Sequence, residues 1–262
     1  MSCKTIIYEN RAYWTRRASG YSEVNQTELR SGQHTVWRHA LCEKIGAYFP
    51  NTAAEELSVL EIGTGPGFFA IILTEAGYSV TAIDLTPNML TEAKKNAGSL
   101  AGKIRFLEMN AEALDFADNS FDVIVSRNLT WNLPHPETAC REWARVLKPG
   151  GLLLNFDANW YSYLFDKNAK EAYEEDRRNT AERGFKDENI GENFDVMEDI
   201  ARRIPLSRAA RPQWDIEVLS GLGLRVAADE QIWRTVWSPE EKISFASTPM
   251  FLIEAIKNKR GG

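Results

Sequence analysis

Short apolar runs alternate with segments of helical period along the middle of the chain. Glu56–Ile62, Ser79–Ile83, Ile104–Met109, Phe121–Ser126 and Gly151–Phe156 read as short, largely apolar strands, as expected for a sheet covered on both faces. A helix begins at Phe68 and runs to Ala76. Another starts at Thr86-Pro87, with Thr86 as N-cap and Pro87 at the first helical position. Pro134-His135-Pro136 opens a third, which Lys148-Pro149-Gly150-Gly151 terminates. Further on, Asp215–Leu222 reads as a helix, and strands fall near Arg225–Trp233 and Met250–Ile256. The alternation predicts an α/β fold with a doubly wound, mostly parallel sheet. No internal repeat or low-complexity tract is visible.

Two regions lie outside this pattern. Residues 1–50 carry Tyr13-Trp14-Thr15-Arg16-Arg17 and Tyr21, then a helix through Trp37, Leu41 and Ile45, and read as a helical cap. Residues 160–212 form an insertion between strands five and six, leaving 51–159 and 213–262 as the core. The insertion holds Trp160, Tyr161, Tyr163, Phe165, Tyr173, Phe185 and Phe194 among many charges, with 12 acidic and 8 basic residues between Asp166 and Arg203. That density suits solvated helices with i,i+4 pairs such as Glu174 with Arg178. The same helices, placed after a strand's C-terminal end where open α/β sheets bind ligands, make a lid.

Candidate chemistry concentrates at Val59-Leu60-Glu61-Ile62-Gly63-Thr64-Gly65-Pro66-Gly67, a strand running into a glycine turn and then a helix. Such a turn lets a ligand approach the main chain and delivers a helix N-terminus suited to an anionic group. A dinucleotide fingerprint needs its third glycine three residues after the second. Phe68 occupies that position, which argues against a nicotinamide oxidoreductase. Asp84 closes the next strand, about twenty residues beyond the glycines, the spacing at which a carboxylate meets ribose hydroxyls.

With these features the chain resembles the class I S-adenosylmethionine-dependent methyltransferases. Glu61 to Gly67 is similar to their first motif, and Ala82-Ile83-Asp84-Leu85 to their ribose-binding strand end. Asn110-Ala111-Glu112-Ala113-Leu114-Asp115-Phe116 is similar to the segment beside adenine, which in many members begins with Asp. Val146-Leu147-Lys148-Pro149-Gly150-Gly151 resembles the turn into the fifth strand. The resemblance implies a Rossmann-like sheet of seven strands with the last antiparallel, and S-adenosyl-L-methionine as cofactor. It further implies that Gly63, Gly65 and Gly67 approach the methionine part and that Glu61 steadies its ammonium. Asp84 would hold the ribose, Leu85 and Met89 would flank the adenine, and Asn110, Ala111 and Glu112 would face its edge.

Strand four ends in Ser126-Arg127-Asn128-Leu129-Thr130-Trp131-Asn132-Leu133, without the Asn/Asp-Pro-Pro-aromatic signature of the family's DNA-modifying members. Arg127, Asn128 and Trp131 are the candidates for the reaction site, with Arg127 suited to an anion and Trp131 to a cationic amine. His34 is the best placed of three histidines as a base, and Arg16, Arg17 and Tyr21 are possible clamps. His34 and His39 lack the i,i+4 spacing of a helical metal pair, and Cys3, Cys42 and Cys140 have no metal-like spacing, so no metal is expected. A net charge of −6 gives no field favouring nucleic acid. Without a secretory signal or a long apolar run, the expectation is a cytoplasmic enzyme. It would methylate a small molecule, without DNA or membrane insertion. A binding module without turnover, or a methyltransferase acting on protein or RNA, are the alternatives.

Overall fold

A computed structural model describes residues 3–186 and 194–259. Its elements run α1 (Cys3–Arg30), α2 (Gly32–Tyr48), β1 (Ser58–Ile62), α3 (Phe68–Glu75), β2 (Ser79–Asp84), α4 (Pro87–Ala97), β3 (Arg105–Glu108) and β4 (Phe121–Arg127). They continue with α5 (Pro136–Val146), β5 (Leu147–Asp157), α6 (Lys167–Glu182), α7 (Phe194–Ala201), α8 (Gln213–Gly221), β6 (Leu224–Asp229), α9 (Trp233–Val236), α10 (Glu241–Ser244) and β7 (Phe251–Lys257). Among the described residues the seven strands form one sheet in the order β3-β2-β1-β4-β5-β7-β6. Only β7 runs antiparallel to its neighbours. The order reverses between β1 and β4, so the crevice at their C-terminal ends is a switch point where such sheets take ligands.

Successive strand residues feed opposite cores, which is why the strands read as continuous apolar runs. Val59, Val123 and Val125 pack with Trp37, Phe69 and Phe156 on one face, whereas Leu60, Ile62 and Ile124 pack with Trp143 and Leu219 on the other. Trp37, Leu41 and Ile45 of α2 are fully buried against the first face, each contributing about 1.5–3 kcal/mol relative to exposure. The N-terminal region is therefore two helices, α1 being the longer, and α2 is part of the core.

Three local predictions are corrected. Lys148-Pro149-Gly150-Gly151 is not the end of a helix followed by a turn: α5 stops at Val146 and β5 already begins at Leu147, with a register break opposite Phe121 and Val123. A Cβ on Gly151 would lie 2.8 Å from the Lys148 carbonyl and 2.9 Å from that of Asp122, so backbone crowding explains the glycine. The predicted strand Arg225–Trp233 ends at Asp229, because Ile232, Val236 and Trp237 turn back into the first core. Glu174 pairs with Lys170, and Arg178 takes Glu175 instead. Within the insertion, α6 and α7 form as expected, while 187–193 and the side chain of Phe194 lie outside the described residues.

A buried ionic triad joins the insertion to the sheet. The Arg211 guanidinium donates to Asp157 at 2.7 Å and, through two nitrogens, to Asp215 at 2.7 and 2.8 Å. Asp157 also accepts the Trp131 backbone N–H at 2.8 Å. The end of β5, the loop after β4 and the start of α8 thus share one charge cluster.

Candidate active site

Gly63 and Gly65 take left-handed φ angles of 72° and 52°, which only glycine adopts freely. The turn they make is tied to β2. Gly63 and Thr64 donate their N–H groups to the Ile83 carbonyl, and Gly65 donates to Asp84 Oδ2 at 2.9 Å. Asp84 Oδ1 accepts the Thr86 N–H at 2.8 Å. Burial pushes the Asp84 pKa upward against these two donors. The Thr86 side chain also donates to this carboxylate, whose remaining acceptor capacity suits a ligand hydroxyl.

Gly63, Gly65, Asp84, Leu85, Met89, Asn110, Ala111 and Glu112 all line one cavity. Gly67 and Glu61 are placed differently. Gly67 caps α3 at φ 93°, where a Cβ would meet the Ala93 Cα at 3.2 Å, so its lack of a side chain lets α3 and α4 approach. Glu61 lies beneath the turn and accepts from the Thr64 hydroxyl at 2.5 Å. Burial pushes its pKa up to about 8, more than the Thr64 and Ala70 donors lower it, and the nearby Asp84 charge adds to the rise.

A pH effect follows from Glu61. A folded-state pKa raised from 4.5 to about 8 means that this carboxyl favours the fold while protonated. That contribution is present below the unfolded value and is lost as pH rises through about 8. The melting temperature should therefore fall over this window, and Glu61→Gln should flatten the fall. Thermal melts from about pH 5 to about pH 9 test this, and parallel curves for the two proteins would sink it.

The segment from Asn110 to Phe116 is held from α5 and the turn before it. The Asn110 side chain accepts the Glu112 N–H at 2.9 Å, so its amide group is oriented by its own turn. Glu112 takes the His135 backbone N–H at 2.7 Å and its ring Nδ1 at 2.8 Å. Trp143 Nε1 donates to the Ala111 carbonyl at 3.0 Å, and Arg145 spans the Leu114 and Phe116 carbonyls. These anchors were not legible in the sequence.

Helix α1 covers this cavity with Ile7, Asn10, Arg11, Trp14 and Tyr21. Arg11 reaches Glu108 at 2.6 Å, and Asn10 donates to the Asn132 carbonyl at 2.9 Å. Glu9 pairs with Arg203 of the insertion. The tryptophan–tyrosine signal in the sequence marked this helix, but Asn10 and Arg11 had no local signature.

A second cavity, of about 690 Å³, lies between α1, the insertion and the α9–α10 region. Trp14, Tyr21, Arg127 and Asn128 line both cavities and form their junction. Arg127 is not a surface ion pair. It donates to Glu28 at 2.5 Å and lies 5.0 and 4.8 Å from the Trp37 and Phe68 ring centres. Burial opposes its charge, but Glu28, Tyr21 and Glu241 outweigh it, so its pKa is raised. Burial likewise raises Tyr21, which keeps its proton. Asn128 sits at φ 55°, and its carbonyl accepts Trp131 Nε1 at 2.9 Å, fixing that ring at the cavity wall. His34 is brought to neither cavity; it pairs with Glu75 at 2.6 Å. His39 pairs with Glu43, at 3.6 Å. Among the described residues no cluster could hold a metal, and no helix is long and apolar enough to cross a membrane.

The family model described as a methyltransferase domain matches residues 60–155, the stretch holding the glycine turn, Asp84 and the β4–β5 region. Residues 60–155 are thus similar to the methyltransferase domain of the class I S-adenosylmethionine-dependent methyltransferases. It is 33% identical over 159 residues to the ubiquinone/menaquinone biosynthesis C-methyltransferase UbiE of Bartonella tribocorum, covering 57% of this chain and 59% of the relative. It is 35% identical over 156 residues to the UbiE of Bartonella henselae, covering 57% and 58%. The chain thus spans less than two thirds of these curated relatives. In fold it matches a SAM-dependent methyltransferase of Aquifex aeolicus, with a TM-score of 0.51 and 19% identity over 82% of this chain and 88% of that one.

The residues fit the family's cofactor, S-adenosyl-L-methionine. The cavity offers the open glycine turn, the Asp84 carboxylate and two buried amide oxygens, Asn10 Oδ1 and Asn132 Oδ1, that accept no hydrogen bond among the described residues. Unclaimed acceptors suit a ligand bearing N–H and O–H groups.

Proposed function

We propose that this chain transfers the methyl group of S-adenosyl-L-methionine to a small molecule held in the 690 Å³ cavity. The observation that carries the reading is the junction: the glycine-turn cavity and the larger cavity share Trp14, Tyr21, Arg127 and Asn128. Asp84 would hold the ribose, and Asn110 and Ala111 the adenine edge, aiming the opposite end of the cofactor at the shared wall. When bound, the cofactor supplies a methyl on a sulfonium, whose S–C bond electrons return to sulfur as an acceptor lone pair takes the carbon.

The chain's own contribution is then placement and exclusion of water. Trp14 and Tyr21 of α1 cover the transfer point, and Tyr21 stays neutral. Among the described residues neither cavity is lined by histidine or cysteine, so the proton that leaves an O–H or N–H acceptor passes to a carboxylate such as Glu28 or to water. Relatives named for C-methylation in quinone biosynthesis support a ring-bearing acceptor.

Calorimetric titration with S-adenosylhomocysteine, followed by transfer of labelled methyl to an acceptor mixture, tests the reading. Binding and turnover support it. Binding with no turnover across acceptors would favour a module that senses the cofactor, and absence of binding would sink both.

A further inference from the structure

The larger cavity combines aromatic walls with cationic groups whose hydrogen-bonding capacity the protein leaves open. Trp131 and Tyr161 face each other with ring centres 5.0 Å apart, and Tyr161 continues to Tyr163 at 5.9 Å. On the far side Trp160 meets Phe245 edge-on at 5.5 Å. Flat rings spaced along a wall recognise flat ligands, since offset and edge contacts between rings are favourable beyond area burial alone.

Arg17 projects into this cavity from α1, and its Nε is buried without an acceptor. Among the described residues none of the ion pairs includes Arg17, in contrast to Arg11, Arg127 and Arg211, each with a carboxylate at 2.5–2.7 Å. Arg127 Nη1 and Trp160 Nε1 are also buried in this wall without acceptors. A half-buried guanidinium among tyrosines and tryptophans, with two more unclaimed N–H donors in the same wall, calls for an oxyanion. Arg17 lines the larger cavity and not the glycine-turn cavity, so its anion belongs to the acceptor side.

We infer that the methyl acceptor is an aromatic acid, a planar ring bearing a carboxylate, with Arg17 as the anchor of that carboxylate. This rests on the methyltransferase reading for the word acceptor, but the binding itself does not. Arg127 is already matched by Glu28, so Arg17 carries the anion reading, and a cationic amine drawn to Glu23, Glu240 and Glu241 of the same cavity is the alternative that tyramine tests.

The test is tryptophan-fluorescence titration of the full chain with benzoate, hydroxybenzoate and indole carboxylates, with hexanoate and tyramine as controls. It is run with and without S-adenosylhomocysteine. Aromatic acids should quench and saturate, hexanoate should bind at least 10-fold more weakly, and tyramine should not bind. Arg17→Met should weaken the aromatic acids about 10- to 100-fold while leaving S-adenosylhomocysteine affinity unchanged, consistent with a charge-assisted bond of about 1.5–3 kcal/mol. Arg17→Lys should recover part of the loss, and Trp160→Phe, which keeps a ring and removes the donor, should weaken binding a few-fold. Tyramine binding better than the acids, or Arg17→Met weakening the cofactor product instead, overturns the inference. If the acids bind as described but S-adenosylhomocysteine does not, the site stands and the methyltransferase reading is what fails.

Discussion

Asp84→Ala should weaken S-adenosylhomocysteine binding roughly 100-fold in a chain that still folds. The carboxylate ends β2 beside the glycine turn, and each oxygen already holds one backbone N–H, from Gly65 or Thr86. Two ribose hydroxyls would use the remaining lone pairs, and a hydrogen bond to a charged group contributes about 1.5–3 kcal/mol. Losing two such bonds at the low end of that range is about 3 kcal/mol, and each 1.4 kcal/mol is tenfold. The alanine variant also leaves the Gly65 N–H without its acceptor, which loosens the turn that lines the proposed cofactor cavity. Burial already raises the Asp84 pKa, so removing the charge relieves a desolvation cost and protects the fold. Calorimetry checks the affinity and circular dichroism the fold. A folded variant with wild-type affinity would remove Asp84 from the ribose role.

Arg211→Met is the largest expected change in stability. Arg211 and its partners Asp157 and Asp215 are within a few per cent of complete burial, and the guanidinium is the charge that compensates both carboxylates. Removing one partner of a buried ion pair costs about 3–5 kcal/mol, because the other charge stays buried and unpaired. For a chain of this length that corresponds to a melting temperature lower by roughly 10 °C or more. The loss should be partly reversed by adding Asp157→Asn and Asp215→Asn, which remove the uncompensated charge. Thermal melts of the single and triple variants measure this. A single variant that melts within about 2 °C of the wild type would show that water reaches the cluster. Because Asp157 also holds the Trp131 N–H, a surviving Arg211 variant should report the change at the acceptor cavity through altered tryptophan fluorescence.

The glycine-turn cavity, proposed for the cofactor, was largely legible because it is local. A glycine turn, the strand before it and the helix after it are neighbours in sequence, and their backbone chemistry needs particular residues at fixed spacing. Gly63, Gly65, Asp84, Leu85, Met89 and Asn110 to Glu112 accordingly fall on one cavity. Glu61 and Gly67 show the limit of that logic. They lie in the same motif, yet one is plugged beneath the turn at 4% exposure and the other is a helix-packing contact. Which way a side chain faces depends on what packs above it, and that information lies elsewhere in the chain.

The acceptor half had no such signature. Its wall is assembled from α1, the end of β4, the start of the insertion and the segment around Trp237, residues up to some two hundred positions apart. Arg127 illustrates the consequence. Its chain neighbours suggested an anion grip, whereas Glu28 from α1 and the rings of Trp37 and Phe68 enclose it. His34, the favoured base from its segment alone, faces Glu75 instead.

The sequence by itself determined the doubly wound sheet and the cofactor turn, because strand burial on two faces and left-handed glycines leave patterns at short range. Only the tertiary structure decided which cations a carboxylate claims, since pairing is a property of distance in space. Arg11, Arg127 and Arg211 are each claimed by an acid brought from at least one other element of the fold, and among the described residues Arg17, indistinguishable from them in sequence, is in no ion pair.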